Sequence, residues 1–298
     1  MTFHLPDINS LTDDALHAIL DKARFYAEGN NDKSLNDKII FNIFMEDSTR
    51  TRMSFEVAAK RLGAEVINFT AKTSSLNKNE SHADTFATLN AYHPDAVVLR
   101  SAEYNAPRFA MTMFDCPVIN AGDSFRAHPT QALLDALTLQ NHFGDVTGKT
   151  IAICGDIAHS RVARSAYDVF DRLGMNVHII APELLMPKAS EFEKARRFTD
   201  MDSGLKNIDA VMMLRIQKER MTEGVIGTDI DFFIEYGLTQ DRLKICYPDA
   251  VVLHPGPMNR GVEIADDVAD DPYKSLILKQ VENGVPIRMA VLDYAVTR

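Results

Sequence analysis

The sequence predicts an α/β fold of two tandem domains, each a parallel sheet flanked by helices, with the C-terminal helix packing back on the first domain. Short apolar runs alternate with helical stripes along nearly the whole chain, which is the rhythm of βαβ units. Several of the strand-like runs are apolar on both faces, as the strands of a helix-covered parallel sheet must be. The length of 298 residues matches two domains of ordinary size, each able to bury its own core.

The first element is a helix: Leu16, Ile19, Leu20, Ala23 and Tyr26 share one stripe behind Thr12-Asp13-Asp14, and Gly29 is placed to end it. Lys38 to Met45 reads as a strand and Arg52 to Leu62 as a helix stopped by Gly63. A strand at Glu65 to Phe69, a helix near Ala83 to Ala91 and the buried strand Ala96 to Arg100 continue the alternation. A helix near Pro107, a short strand at Pro117 to Ile119 and a helix opening at Pro129 complete the first set.

The helix from Pro129 to about His142 connects the two sets, with Gly144 at its end. The second set holds the strand Thr150 to Cys154, a helix from Arg161 to Leu173, and strands at Asn176 to Ile180, Ala210 to Leu214 and Ala250 to Leu253. A last helix runs from about Pro286 to Tyr294. Domain limits are expected at 1–130 and 131–280, with 281–298 as the returning helix.

Composition narrows the function classes. Hydrophobic residues make up 46% and charged ones 25%, the balance of a soluble globular protein. A formal net charge of −10 argues against sequence-independent binding to nucleic acid or anionic lipid, so any bound anion must be met by a local cluster. No apolar run approaches the ~18 residues of a membrane span. The N-terminal stretch shows no basic segment followed by an apolar one, so a cytoplasmic address is expected. Cys116, Cys154 and Cys246 form no CxxC pair; Cys154 and Cys246 read as small core residues, and a structural metal is not expected. Met186, Met201, Met212 and Met213 read as gap-fillers in the core. In Lys194-Ala195-Arg196-Arg197, Glu193 stands four before Arg197, which suits an ion-paired, solvated helix face better than a nucleic-acid patch.

In open α/β sheets ligands bind beyond the carboxyl ends of the strands, so the residues directly after each strand are the informative ones. After the first strand come Glu46-Asp47 and then Ser48-Thr49-Arg50-Thr51-Arg52 at the mouth of a helix, a match for phosphate. From this segment alone, a helix cap with two surface arginines is as good an account. Arg100 stands at the end of a buried strand, and His128-Pro129-Thr130-Gln131 repeats the strand-to-helix geometry. Arg161, Arg215 and His254-Pro255-Gly256-Pro257 follow strands of the second set. Each alone has an ordinary surface explanation. All of them together in an acidic chain point to a small substrate, or pair of substrates, carrying several negative charges. Gly148-Lys149-Thr150 is no Walker end, because position 143 is Phe and the run precedes a strand. Serine-hydrolase elbows, zinc-protease helices and the dinucleotide GxGxxG are absent.

These residues resemble the aspartate/ornithine carbamoyltransferase superfamily, and within it the aspartate carbamoyltransferase catalytic chains, over about residues 5 to 295. The segment from Ser48 to Arg52 and the His128 to Gln131 segment are shared with the ornithine enzymes. The segments Leu214-Arg215-Ile216-Gln217 and His254-Pro255-Gly256-Pro257 look like the aspartate enzymes. The resemblance implies carbamoyl transfer from carbamoyl phosphate to L-aspartate in de novo pyrimidine biosynthesis, with no metal or organic cofactor. It makes the first domain the carbamoyl-phosphate-binding one and the second the aspartate-binding one. Ser48, Thr49, Arg50 and Thr51 would hold the phosphate, and Arg100 would bridge phosphate and carbonyl. Thr51, Arg100 and His128 would polarise that carbonyl, while Gln131 and the Pro255 and Gly256 carbonyls would hold the amine. Arg161, Arg215 and Gln217 would bind the two aspartate carboxylates. Ser75 and Lys78 would reach into the site of a neighbouring subunit, Ser75 toward carbamoyl phosphate and Lys78 toward aspartate and the reacting group. The implied assembly is a homotrimer with shared sites, with a regulatory chain or a dihydroorotase partner left open.

Three positions depart from the family's common pattern: Asn79 for Gly, Ser101 for His, and Ser124-Phe125 for a glycine-containing stretch. They motivate one rival reading, a catalytically weak paralogue acting as a structural partner in a pyrimidine-pathway assembly. The other rival is a carbamoyltransferase for another amine such as ornithine, against which the arginine pair stands.

Overall fold

The computed structural model describes residues 2–70, 81–216 and 228–298. Two units form within it, one of residues 1–137 with 282–298 and one of residues 138–281.

In the first unit Thr12 caps α1 (Asp13–Ala27) by accepting the Ala15 N–H at 3.1 Å, and the expected stripe from Leu16 to Tyr26 is buried. Each large side chain on that stripe contributes about 1.5–3 kcal/mol by leaving water. The parallel sheet has the order β2-β1-β3-β4, from β1 (Ile39–Phe44), β2 (Glu65–Thr70), β3 (Ala96–Ser101) and β4 (Val118–Asp123). The crossovers carry α2 (Thr49–Arg61), α3 (His82–Asn90) and α4 (Ala106–Ala110). Phe41, Ile43, Val97, Leu99 and Val118 pack with Phe86, Ala110 and Phe114 into one core cluster. Beyond β4, α5 (Pro129–Phe143) begins in this unit and continues into the second.

The second unit has a five-stranded parallel sheet in the order β7-β6-β5-β8-β9, from β5 (Thr150–Cys154), β6 (Asn176–Ile180), β7 (Arg196–Phe198), β8 (Ala210–Met213) and β9 (Val251–Leu253). Its helices are α6 (Arg161–Arg172), α7 (Met201–Gly204), α8 (Asp229–Tyr236), α9 (Gln240–Leu243) and α10 (Asp266–Ala269). Ala152, Cys154, Met201, Val211, Met213, Cys246 and Val252 lie in one buried cluster, where Cys154 and Cys246 are the small core residues expected; burial pushes both thiols up. Met212 is also buried, whereas Met186 is half-buried.

The expected helix face at 194–197 is corrected by β7. Arg196 and Arg197 pair with His178 and Ile179 on an edge strand, and Lys194 bonds Asp171 at 2.7 Å instead of a partner on its own helix. Two exposed arginines on a three-residue edge discourage further strand pairing there. Lys149, in the rejected Walker-like run, pairs with Asp209 at 3.1 Å.

The final helix, α11 (Ile277–Val296), starts earlier than expected and carries Pro286 inside it. Its C-terminal part returns to the first unit as expected: Asp293 pairs with Lys22 of α1 at 3.2 Å, and Arg288 lies 5.1 Å from the centre of the Phe55 ring of α2. Among the described residues no helix is long and apolar enough to cross a membrane.

Candidate active site

In the first unit the carboxyl ends of β1, β3 and β4 are neighbours, and each is followed by polar residues of the expected set. Ser48 is the N-cap residue of α2 with extended backbone, yet its hydroxyl makes no capping hydrogen bond. Thr49 and Arg50 are exposed at the helix mouth, and Thr51 is buried in the first turn. A helix opening of this kind presents backbone N–H groups and the positive end of the helix dipole to an anion.

Arg100 pairs with Phe44 in the register of β1 and β3, which sets it beside the end of β1. There its Nε lies 2.7 Å from the Glu46 carboxylate and its Nη1 donates to the Ala121 carbonyl at 3.3 Å. The pairing of β3 with β4 shifts register between Leu99 and Arg100, so that Arg100 faces Gly122. A Cβ on Gly122 would stand 3.1 Å from Arg100 Nη1 and 3.3 Å from its Cγ, with φ at +140°, so only glycine leaves the guanidinium its place. Asn120 fixes this irregular turn, accepting the Gly122 N–H at 2.7 Å and donating to the Pro6 carbonyl at 2.7 Å.

The departures at Ser101 and at Ser124-Phe125 find physical accounts here. Ser101 is buried and its hydroxyl accepts the Glu103 N–H at 3.0 Å. Ser124 sits in the left-handed region at φ +45°, where glycine costs least, and Phe125 stacks on Tyr104 with ring centres 5.5 Å apart.

His128 is buried, and its carbonyl accepts the Gln131 and Ala132 N–H groups as α5 begins. Pro129 fits the first helical position because it lacks the N–H that would have no partner there. One turn on, Gln131 Nε2 donates to Asp135 Oδ1 at 2.9 Å, which turns the Gln131 carbonyl oxygen away from that carboxylate. Arg288 lies almost fully buried near by; burial and then the Arg100 charge push its pKa down, to about 9, while Asp135 pulls it back up. Sequence reasoning assigned no role to Glu46, Asp135 or Arg288. The single cation in the apolar run Val285 to Val291 and the Gln131/Asp135 spacing were the available signals.

In the second unit β5, β8 and β9 lie side by side, so Arg161, Arg215 and the turn after His254 follow adjacent strand ends. Gly155 has φ +120°, and a Cβ there would come within 2.6 Å of the Leu214 carbonyl oxygen. The chain then turns through buried Asp156, which accepts from the His159 backbone at 3.2 Å and meets its ring at 2.9 Å. Ser160 caps α6 through the Ala163 N–H at 3.1 Å, leaving Arg161 half-buried in the first turn. Leu214 N–H bonds the Cys154 carbonyl at 2.8 Å, and Arg215 follows, also half-buried. Pro255 and Gly256 are half-buried just past β9. Ser75, Lys78 and Gln217, with Asn79, lie outside the described residues. Among the described residues no His, Cys, Asp and Glu are grouped to hold a metal ion.

Each unit thus gathers its own cations and hydroxyls at one end of its sheet. Two family models cover the chain: the aspartate/ornithine carbamoyltransferase carbamoyl-P binding domain over residues 4–141, and the Asp/Orn binding domain of the same family over residues 147–295. The aspartate carbamoyltransferase catalytic subunit of Granulibacter bethesdensis is 50% identical over 97% of this chain and 93% of its own. Aspartate transcarbamoylase from Trypanosoma cruzi in complex with N-(phosphonacetyl)-L-aspartic acid has a TM-score of 0.89 at 29% identity, covering 98% of this chain and 95% of that one. Ornithine carbamoyltransferase from Pyrococcus furiosus reaches 0.89 at 26% identity, covering 100% and 99%.

Proposed function

The chain belongs to the aspartate/ornithine carbamoyltransferase family, and from that premise we infer that it transfers the carbamoyl group of carbamoyl phosphate to L-aspartate, giving N-carbamoyl-L-aspartate and phosphate. This is a reaction of pyrimidine biosynthesis, and we place it in the cytoplasm. The observation that carries the choice of amine is the pair Arg161 and Arg215 after adjacent strands. Two guanidinium groups suit a dicarboxylate, each able to pair bidentately, and would repel the second ammonium of ornithine. The identity to a curated aspartate enzyme points the same way.

In this reading Ser48, Thr49, Arg50 and Thr51 hold the phosphate, with Ser75 of a neighbouring subunit. Thr51, Arg100 and His128 direct positive charge or donors at the carbonyl oxygen, where negative charge develops as the neutral aspartate amine attacks the carbamoyl carbon. Gln131 and the carbonyls of Pro255 and Gly256 accept from the carbamoyl amine. The tetrahedral intermediate collapses with cleavage of the carbon–oxygen bond to phosphate, and the attacking nitrogen gives up a proton that the departing phosphate takes. Arg161, Arg215 and Gln217 hold aspartate, together with Lys78 from the neighbour. The residues' work is to position two anions that repel each other and to stabilise the oxyanion.

We take the assembly that shares these sites to be a homotrimer. Mixing Lys78→Ala chains with Arg50→Ala chains should restore part of the activity lost in each, because some mixed sites then receive both intact residues. No recovery in mixed trimers would remove the shared-site reading. For the amine, Arg161→Ala and Arg215→Ala should each raise the KM for aspartate about tenfold or more and leave that for carbamoyl phosphate nearly unchanged. Equal losses for both substrates would contradict the assignment.

A further inference from the structure

We propose that His254 and Glu263 form a buried positioning pair that fixes the backbone at Pro255 and Gly256 for recognition of the carbamoyl amine, an inference that rests on the reading of those two carbonyls given above. His254, directly after β9, is 2% exposed and Glu263 is 0% exposed. The His254 backbone N–H donates to Gln280 Oε1 at 2.8 Å, which anchors the residue to the start of α11. Its ring spans the turn in two directions. Nδ1 accepts the Gly256 N–H at 2.8 Å, and Nε2 lies 3.1 Å from Glu263 Oε1.

Because Nδ1 accepts, the ring's proton belongs on Nε2, where it is donated to the carboxylate; the bond on one ring nitrogen sets the tautomer at the other. The same Glu263 oxygen accepts the Asn259 N–H at 2.6 Å. One carboxylate therefore holds both ends of the segment 254–259, and the imidazole carries that restraint to the Gly256 peptide. Glu263 Oε2 has no hydrogen-bond partner among the described residues. If the only need were packing, an apolar pair of similar volume would serve as well without the desolvation cost of a buried carboxylate. What this pair adds is orientation: the Gly256 N–H is committed to the ring, so rotation of that peptide, and with it of the adjoining Pro255 carbonyl, is restrained. A planar amine with two N–H groups needs acceptors in fixed directions, and this turn supplies them from backbone alone.

The pair acts through the turn, not on substrate, so its loss should appear as lost selectivity for the amine. The probes are phosphonoacetamide, which presents the carbamoyl-like amide, and 2-oxopropylphosphonate, in which a methyl replaces the NH2, with inorganic phosphate as the control. Calorimetry on the full chain gives the ratio of amide to ketone affinity. In Glu263→Met, which removes the acceptor at similar volume, and in His254→Gln that ratio should fall roughly three- to tenfold, the value of one hydrogen bond, while phosphate affinity stays within about twofold. His254→Asn, whose side-chain oxygen can still accept the Gly256 N–H, should keep more of the ratio than His254→Gln. A parallel loss for amide, ketone and phosphate would make the pair merely structural and overturn the proposal, as would an unchanged ratio in Glu263→Met and His254→Gln. An unaltered chain that does not prefer the amide would instead overturn the reading of Gln131, Pro255 and Gly256 as its acceptors. If His254→Gln does not fold, the Glu263→Met ratio alone decides.

Discussion

Replacing Asp135 by asparagine separates a group that orients from one that binds. Asp135 Oδ1 accepts from Gln131 Nε2 at 2.9 Å, and the two side chains are 0% and 9% exposed. An ionised carboxylate only accepts, so it forces the nitrogen end of the Gln131 amide toward itself and leaves free the oxygen end, which the proposed function assigns to the carbamoyl amine. Asparagine both donates and accepts, and that instruction is lost. A hydrogen bond to a charged group contributes about 1.5–3 kcal/mol, which corresponds to a fall in kcat/KM for carbamoyl phosphate of roughly tenfold to a hundredfold. A second cost falls on stability. Arg288 is 4% exposed and its charge is supported by Asp135 against burial and Arg100. Removing that counter-charge should also lower the midpoints of thermal and urea unfolding. The assay is a double-mutant cycle of Asp135→Asn with Gln131→Ala on kcat/KM at saturating aspartate. If Asp135 acts through Gln131, the double variant is little worse than Gln131→Ala alone; losses that simply add would refute the reasoning.

Gly155→Ala forces a Cβ to within 2.6 Å of the Leu214 carbonyl oxygen at φ +120°, and should cost more than about 2 kcal/mol in urea unfolding and weaken aspartate binding more than carbamoyl phosphate binding. Ser124→Gly relieves a left-handed residue at φ +45° and should stabilise the chain by up to about 1 kcal/mol; a loss of stability would show that Ser124 carries no strain. Asp7 gives a pH dependence. Burial raises its carboxyl, but hydrogen bonds from Ser10, Arg108 and Arg126, the two arginines each at 2.7 Å, outweigh this and hold its pKa below the ordinary value. The resulting stability, about 1–2 kcal/mol, is fully present above pH ~4–5 and lost as pH falls through the lower folded-state pKa. Urea unfolding of Asp7→Asn should therefore lie below that of the unaltered chain at pH 7 and approach it as the pH falls below the ordinary carboxylate value.

Much of this arrangement is legible before any coordinates, for physical reasons that differ by residue. The β1–α2 segment is legible because a strand buried from Ile40 to Phe44 is followed within a few residues by hydroxyls and arginines at a helix mouth, and both features are local in sequence. Arg100 is legible as a charge ending an apolar run. The strand β7 is not, because Arg196-Arg197-Phe198 has no strand periodicity and exists only through backbone pairing with the edge of β6. The early start of α11 is hidden by Pro286, whose presence inside a helix local propensity disfavours and tertiary packing permits. Asp135 stood at helical spacing from Gln131, yet its partnership with Arg288 depends on the returning helix and has no local signal. The link from His254 to Glu263 likewise bridges a turn whose shape no short pattern encodes.

Steady-state transfer by the purified chain, supplied with carbamoyl phosphate and either L-aspartate or L-ornithine, tests the central claim most directly, with the product identified by mass. Formation of N-carbamoyl-L-aspartate at an enzymatic rate, with no citrulline, is the predicted result. Citrulline, or no transfer to either amine from a chain that still binds carbamoyl phosphate, would contradict the account.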